Sequence, residues 1–167
     1  MEAKNFENWL TQYRQNQLPN WTDLPKLDLY MDQLIDCVNH YITPFTETPI
    51  TKTMINSYVK LGLVDKPIKK RYTRHSLAQI IIVSVLKSAF SLDYIKNGIE
   101  IAGHDISLED AFTEFTAKFN DELLNLRKQA NAVTDFESMA IRTVLYQTVV
   151  NHLVANNLSL ISADLME

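Results

Sequence analysis

Apolar residues recur at intervals of three and four along most of the chain, which is the pattern of helices with one buried face. Segment 29–42 shows it well, since Leu34, Val38 and Tyr41 fall on one side of a helix. Residues that break helices are few, with 3 glycines and 5 prolines, and four of the prolines precede Ile50. We therefore predict a mostly α-helical protein. The predicted helices cover residues 5–15, 29–42, 51–61, 73–90, 91–103, 107–128 and 134–155.

One segment, 63–72, lacks the helical spacing and contains Pro67, so it predicts a short β-hairpin or an extended loop. The helix before it ends at Gly62, because glycine adopts the left-handed conformation at a helix C-terminus without strain. The helix after it begins at Thr73 and is apolar on nearly all sides from Ala78 to Leu86, which is typical of a buried helix. The predicted parts are an N-terminal helical arm over 1–28, a central domain over 29–103 and a C-terminal helical region over 104–167.

The positive charge of the chain is concentrated in one window, residues 52–87. The whole chain has 16 basic and 20 acidic side chains, a net charge of −4. The window has eight basic residues and only Asp65 as an acid, a net charge of +7, which leaves −11 for the rest of the chain. A segregated basic block in an acidic chain predicts a surface for a polyanion, most simply double-stranded DNA. The alternative is a solvated face that keeps the protein soluble.

The helix predicted over 51–61 has the two faces that a DNA-reading helix needs. Ile55, Tyr58 and Val59 supply an apolar inner face, and the outer positions are polar. Asparagine can pair bidentately with adenine, whereas lysine, serine and threonine reach base edges or phosphates. The basic residues that follow are placed to neutralise phosphates beside the groove. The predicted DNA-binding residues are Thr51, Lys52, Thr53, Asn56, Ser57, Lys60, Lys69, Lys70, Arg71 and Arg74.

Three pieces of the chain resemble a known family. Residues 50–64, ITKTMINSYVKLGLV, resemble the recognition-helix segment of the MerR-type winged helix-turn-helix regulators. Residues 70–77, KRYTRHSL, are similar to the junction between wing and helix in those regulators, and residues 90–95, FSLDYI, to the start of their later helix. The resemblance implies a MerR-like winged helix-turn-helix over 29–103, with a small β-hairpin as the wing and a C-terminal helical region for dimerisation.

The chain also departs from the MerR pattern. Asn56 and Ser57 stand where those regulators usually carry arginine and tyrosine, so one phosphate-binding arginine is missing. The loop 43–49 is longer than their usual turn, and two helices replace their single long C-terminal helix. Over its full length the chain resembles the YkrK-like family of Gram-positive bacteria, a domain of unknown function. That resemblance implies a DNA-binding-like core in a mostly helical protein, with no effector ligand assigned.

The last predicted helix, 134–155, carries apolar residues on more than one side. Such a helix lies in the centre of a bundle, or it buries one side in its own protomer and the other in a twin. We favour a homodimer, because two recognition helices one DNA turn apart (~34 Å) read a two-fold site. The sequence thus predicts a DNA-binding transcriptional regulator. The alternatives are a helical adaptor that uses a winged-helix core to bind an acidic protein, and a small-molecule-binding bundle in the C-terminal half.

Catalytic and metal-binding patterns are weak. The sequence has no Gly-rich phosphate loop, no Gly-x-Ser-x-Gly motif and no zinc-type spacing of cysteine and histidine, so we expect neither an enzyme nor a cofactor. Asp36 and His40 have a spacing that can hold a metal, but no third ligand accompanies them. Cys37 lies beside an apolar stripe, which favours a buried thiol over a redox sensor.

Three features predict a cytoplasmic protein that does not contact a membrane. A single cysteine suits a reducing compartment. The N-terminus, MEAKNFENWL, lacks the basic start and apolar stretch of a signal peptide. No apolar run approaches the ~20 residues that a membrane span needs.

Overall fold

The structure, a computed structural model, describes residues 2–102, 105–126, 139 and 141–154. It confirms a mostly helical protein with a small antiparallel sheet. The elements are α1 (Glu2–Tyr13), β1 (Leu29–Tyr30), α2 (Met31–Ile42), α3 (Lys52–Lys60), β2 (Arg71–Tyr72), α4 (Arg74–Leu86), α5 (Leu92–Ala102), α6 (Leu108–Leu124) and α7 (141–154). Short 3-10 helices cover Trp21–Asp23 and Thr43–Phe45. Within the described residues no helix is both long and apolar enough to cross a membrane.

Four predicted helices had wrong boundaries. Helix α1 covers Glu2–Tyr13 instead of residues 5–15. Leu29 and Tyr30 belong to a strand, so α2 begins only at Met31. Helix α4 ends at Leu86 instead of residue 90, and the Ser88 hydroxyl just beyond it donates to the Val85 carbonyl at 2.8 Å, a bond that competes with helical continuation. Helix α6 ends at Leu124, short of the predicted residue 128. Residues 134–138, 140 and 155 of the last predicted helix lie outside the described residues.

The sheet joins the start of α2 to the basic segment. Strands β1 and β2 pair antiparallel, with Leu29 opposite Tyr72 and Tyr30 opposite Arg71. Arg71 also pairs with Ile68 on its other side, through Ile68 N to Arg71 O at 2.9 Å and Arg71 N to Ile68 O at 3.0 Å. A hairpin therefore forms in 63–72, and its second strand is anchored to β1.

The core is built around α4, and this confirms the prediction of a buried helix. Nine of its thirteen residues are buried, and Leu77, Ile80 and Val83 are at most 1% exposed. Helices α2, α5 and α6 pack around it. Burial of this many aliphatic side chains is the main source of stability, since each fully buried one contributes about 1.5–3 kcal/mol.

All three predicted parts of the chain contribute to this core. Trp21 from the first part and Phe112 from the third are both buried, with their ring centroids 6.0 Å apart. The Asn120 side chain pairs with the backbone of Leu18, accepting from its N–H at 2.9 Å and donating to its carbonyl at 3.0 Å. The boundaries at 28/29 and 103/104 stay predictions.

Candidate nucleic-acid interface

Helix α3 is held with one face in the core and the other in solvent. The Thr51 hydroxyl caps its start by accepting from Met54 N at 3.3 Å. Ile55 and Tyr58 are at most 1% exposed. At the other end Gly62 has a φ of 74° and Leu63 N donates to the Tyr58 carbonyl at 2.9 Å, which confirms the left-handed termination. Both ends are fixed locally, so the outer face keeps a defined orientation.

The long turn between α2 and α3 is pinned at its far end. The Asn39 amide of α2 binds both backbone polar groups of Ile50, just before α3. Ile50 itself is 2% exposed and belongs to the core. The additional length relative to a usual helix-turn-helix is therefore folded into a fixed connection.

The outer face of α3 presents the predicted reading residues together. Each of these side chains is exposed, and none of the residues of α3 is acidic. Thr51 uses its hydroxyl oxygen as the cap acceptor, which leaves the hydroxyl hydrogen for a further partner. The exposed set on or next to α3 is Thr51, Lys52, Thr53, Asn56, Ser57 and Lys60.

The tip of the hairpin consists of two lysines in an unusual conformation. Lys69 and Lys70 have φ values of 50° and 64°, and they are the two central residues between the paired Ile68 and Arg71. Positive φ at both positions defines the turn that normally takes Asn-Gly or Gly-Gly. A side chain with a Cβ costs about 1–2 kcal/mol in that region. Both lysines are exposed, so the turn displays two ammonium groups at its tip.

Arg71 projects beside the hairpin and is oriented by Tyr30 across the sheet. Its guanidinium donates to the Tyr30 hydroxyl at 2.9 Å and lies 4.9 Å from the centroid of the same ring. Both side chains are exposed, so the guanidinium keeps donors for an external anion. Tyr30 therefore positions a cation, a role that the sequence pattern does not reveal because it predicts helix over β1.

Arg74 differs from the other nine predicted residues, because it is only half-exposed. Its Nε donates to the Pro25 carbonyl at 3.3 Å, and its guanidinium lies 5.4 Å from the Trp21 ring centroid. These contacts join the start of α4 to the 3-10 helix at Trp21–Asp23. The structure thus gives Arg74 a packing role against Pro25 and Trp21.

Two lysines outside the predicted set lie close to parts of the basic window. Lys26 lines a shallow depression with Tyr30 and Arg71. The Nζ of Lys96 in α5 lies beside Gly62, 3.9 Å from the point where a Cβ on that glycine would stand. Lys26 precedes the basic window and Lys96 follows it, so only the fold brings each of them close to Arg71 or to Gly62.

The tyrosines near the interface are core residues. Tyr58 and Tyr72 are 1% and 4% exposed, and burial raises the pKa of both phenols. The Tyr58 hydroxyl is buried without a hydrogen-bond partner among the described residues. The Tyr58 hydroxyl is therefore not placed to meet a phosphate.

The other residues with candidate chemistry give no site. Burial raises the pKa of the Cys37 thiol, which disfavours the reactive thiolate that a redox sensor needs. Asp36 and His40 are exposed, and in the part of the chain that the structure describes no group of three or more metal-binding side chains occurs.

Comparison with known families and proteins gives one match. The family described as Domain of unknown function (DUF1836) matches residues 19–121. This range contains β1, α2, α3, the hairpin and α4 to α5 entirely, and therefore all ten predicted DNA-binding residues. No curated protein and no solved structure matches the chain.

Proposed function

The chain belongs to the DUF1836 family, and from its geometry we propose that it is a sequence-specific DNA-binding transcriptional regulator with a MerR-like winged helix-turn-helix. The observation that carries the proposal is the division of α3 into a buried apolar face and an exposed polar face, followed directly in the chain by a hairpin tipped by Lys69 and Lys70. This combination offers a groove-reading element and a phosphate-binding element in consecutive segments of the chain. The proposed role places the protein in the cytoplasm.

In this proposal α3 enters the major groove. An α-helix with its side chains is ~10–12 Å wide, and the groove is ~12 Å wide. Asn56 lies in the middle of the exposed face and would pair with adenine, while Lys52, Thr53 and Ser57 would reach neighbouring base edges. Lys60 lies at the end of the helix, where it would meet a backbone phosphate.

The hairpin would supply the phosphate contacts that the missing arginine does not. Asn56 stands where MerR-type regulators usually carry that arginine, so α3 has only Lys52 and Lys60 as cations. Lys69, Lys70 and Arg71 add three exposed cations. Each phosphate neutralised contributes a slope of about −0.9 to the dependence of log K on log salt concentration. We therefore expect strongly salt-dependent binding.

Dimerisation would occur through α7. One face of this helix contacts its own protomer, where Gln147 Nε2 donates to the Ala89 carbonyl at 2.7 Å and Val150 and Val154 line an apolar cavity. Large apolar side chains on its remaining surface are exposed. These are Ile141, Val144, Leu145, Tyr146, Val149 and Leu153, each at least 53% exposed. An apolar surface of this kind is typical of a protein interface, and a twin would give the two reading helices that a two-fold site requires.

The test is selection of genomic fragments by the full-length protein at physiological salt, followed by affinity measurement on the enriched sequence. We expect one enriched motif. Asn56→Ala should weaken binding at one base pair by about 1–3 kcal/mol and relax preference there. Lys69→Gln should weaken all sequences alike and reduce the salt slope by about 1. Lys118→Gln removes an exposed lysine of α6 that pairs with Glu114, and it should change neither quantity.

An adaptor that binds an acidic protein through the same surface is the second candidate, and the missing arginine and the long turn favour it. It predicts weak, salt-sensitive retention of DNA without an enriched motif. It also predicts that Asn56→Ala leaves DNA retention unchanged. Either result would reject the regulator.

A further inference from the structure

A cavity of about 360 Å³ lies behind α3, on the side away from the reading face. Its walls come from the turn between α2 and α3, the first turn of α3, and the end of α4. Phe45 and Met54 provide apolar surface, and Thr48 provides a hydroxyl. The volume is at the small end of the range of ligand pockets, about 300–1,000 Å³.

Ser84 gives this cavity an unused polar group. It is 6% exposed and lines the cavity, and its hydroxyl is buried without a hydrogen-bond partner among the described residues. A serine inside a helix usually donates to the carbonyl four residues earlier, and a buried hydroxyl without any partner indicates that a partner is missing. A polar group bound in the cavity would supply it once the Ser84 side chain rotates towards the cavity.

Two opposite charges line the same cavity without neutralising each other. Glu47 comes from the turn and Lys87 from the end of α4. Neither side chain forms an ion pair with any residue that the structure describes. The Lys87 ammonium lies 5.8 Å from the Tyr58 ring centroid, so it is close to α3. The cavity therefore offers one cation, one anion, a hydroxyl and an apolar wall.

We propose that this cavity binds a small zwitterion with an apolar side chain, namely a free α-amino acid. The carboxylate binds the Lys87 ammonium, and the ligand ammonium binds the Glu47 carboxylate. Ser84, after rotation about its Cα–Cβ bond towards the cavity, donates its hydroxyl hydrogen to the carboxylate, which satisfies the unpartnered group. The apolar side chain packs against Phe45 and Met54.

The site would regulate DNA reading, a consequence that rests on the proposed function. Glu47 and Phe45 belong to the turn that leads into α3, and Met54 belongs to α3 itself. A ligand that ties them to Lys87, the C-cap residue of α4, alters the freedom of the reading helix. By thermodynamic linkage, the ligand and the DNA change each other's affinity by the same factor.

The binding test uses the full-length protein without DNA. Each of the twenty common amino acids is titrated up to about 10 mM in calorimetry, a range that covers millimolar dissociation constants. We expect saturable binding of at least one amino acid with an apolar side chain. We expect no binding of the corresponding amino alcohol, which lacks the carboxylate. Lys87→Gln, Glu47→Gln and Ser84→Ala should each weaken binding at least about threefold, and the charge variants about tenfold. Lys118→Gln serves as the control and should bind normally.

Three results would overturn the proposal: no amino acid binds in this range, the amino-alcohol binds as well as the amino acid, or the three cavity variants bind like the wild type. Since Ser84→Ala only removes an unpartnered hydroxyl, loss of the fold is not expected to confuse that variant. Amino-acid binding in a protein that selects no DNA sequence would leave this site standing and reject the regulator. A protein that selects a DNA motif but binds no amino acid would reject the amino-acid site and support the regulator.

Discussion

The Asn39 side chain forms a two-way pair with the backbone of Ile50, eleven residues later. Its Oδ1 accepts from Ile50 N at 2.8 Å, and its Nδ2 donates to the Ile50 carbonyl at 3.3 Å. The pair fixes the end of the turn one residue before the Thr51 cap of α3. Asn120 of α6 makes an equivalent pair with Leu18. The molecule thus contains two similar pairs of an asparagine side chain with a backbone, and only the Asn39 pair borders the candidate interface.

Asn39→Ala should reduce both stability and DNA affinity, because the buried Ile50 backbone loses two partners and the start of α3 loses its anchor. We expect a loss of about 1–3 kcal/mol in the free energy of unfolding. Asn120→Ala should produce a similar loss of stability with DNA affinity unchanged. Urea titration and binding to the selected sequence measure the two effects. Equal effects of both variants on DNA affinity would show that the Asn39 pair does not orient α3.

The hairpin tip should lower the free energy of unfolding and contribute to DNA binding. Lys69→Asn combined with Lys70→Gly places a favoured pair in the turn, so the free energy of unfolding should rise by about 1–2 kcal/mol. The same change removes two ammonium groups and should reduce the salt slope of DNA binding by about 2. Lys69→Gln is the matched control, since it keeps the backbone strain and removes one charge. If the double variant is more stable but its salt slope is unchanged, the hairpin tip does not contact DNA.

The two arginines that follow the tip should behave differently. Arg71→Gln should reduce the salt slope by about 1 with little change in stability, because both Arg71 and its partner Tyr30 are exposed. Arg74→Gln should instead lower the free energy of unfolding by about 1–2 kcal/mol, since it loses the bond to the Pro25 carbonyl and the Trp21 ring. Chemical unfolding and salt-titrated binding separate the two outcomes. Identical profiles for the two variants would contradict these assignments.

Helical periodicity was sufficient to predict which face of α3 is buried. Ile55 and Tyr58 lie three residues apart, and this local spacing determines the side of the helix that meets the core. The exposure of Asn56 and Ser57 follows from the same spacing. The hairpin was predictable as non-helical from Pro67, but its turn geometry was not, since two lysines are unfavourable residues for positive φ.

Features that depend on distant partners were not predictable. Leu29 and Tyr30 fit a helical pattern, and they form a strand because β2 lies beside them more than forty residues later in the sequence. Counting charges could not separate Arg74 from Arg71, because Trp21 and Pro25 engage only the former. Such contacts arise from the packing of the whole core, which a local pattern does not encode.

Tyr58 should make stability depend on pH in the alkaline range. Below pH 10 the phenol is neutral in the folded and unfolded chain and contributes no pH dependence. Above pH 10 the unfolded chain releases the proton while burial keeps the folded phenol protonated, so stability falls by up to about 1.4 kcal/mol per pH unit. The stability of the Tyr58→Phe variant should fall less steeply with rising pH. The substitution should also be neutral or stabilising at pH 7, because the lost hydroxyl has no partner among the described residues.

The measurement for Tyr58→Phe is chemical unfolding at several pH values between 7 and about 11. Tyr72→Phe offers a comparison, since burial raises its pKa too. DNA affinity at neutral pH should be unchanged in Tyr58→Phe, because the hydroxyl lies in the core. A loss of DNA affinity without a loss of stability would indicate that the Tyr58 hydroxyl contacts a DNA phosphate.

The proposed dimer should dissociate when a charge is placed on the exposed side of α7. Leu145 and Val149 are 59% and 54% exposed, so Leu145→Glu combined with Val149→Glu removes little packing from its own protomer. We expect a change from dimer to monomer in analytical ultracentrifugation, with the thermal midpoint of the protomer retained and affinity for a two-fold DNA site strongly reduced. Leu124→Glu alters a leucine of α6 that is also 54% exposed and should leave the mass unchanged. A wild-type protein that sediments as a monomer at micromolar concentration, or a double variant that stays dimeric, would assign the exposed surface of α7 to a different partner.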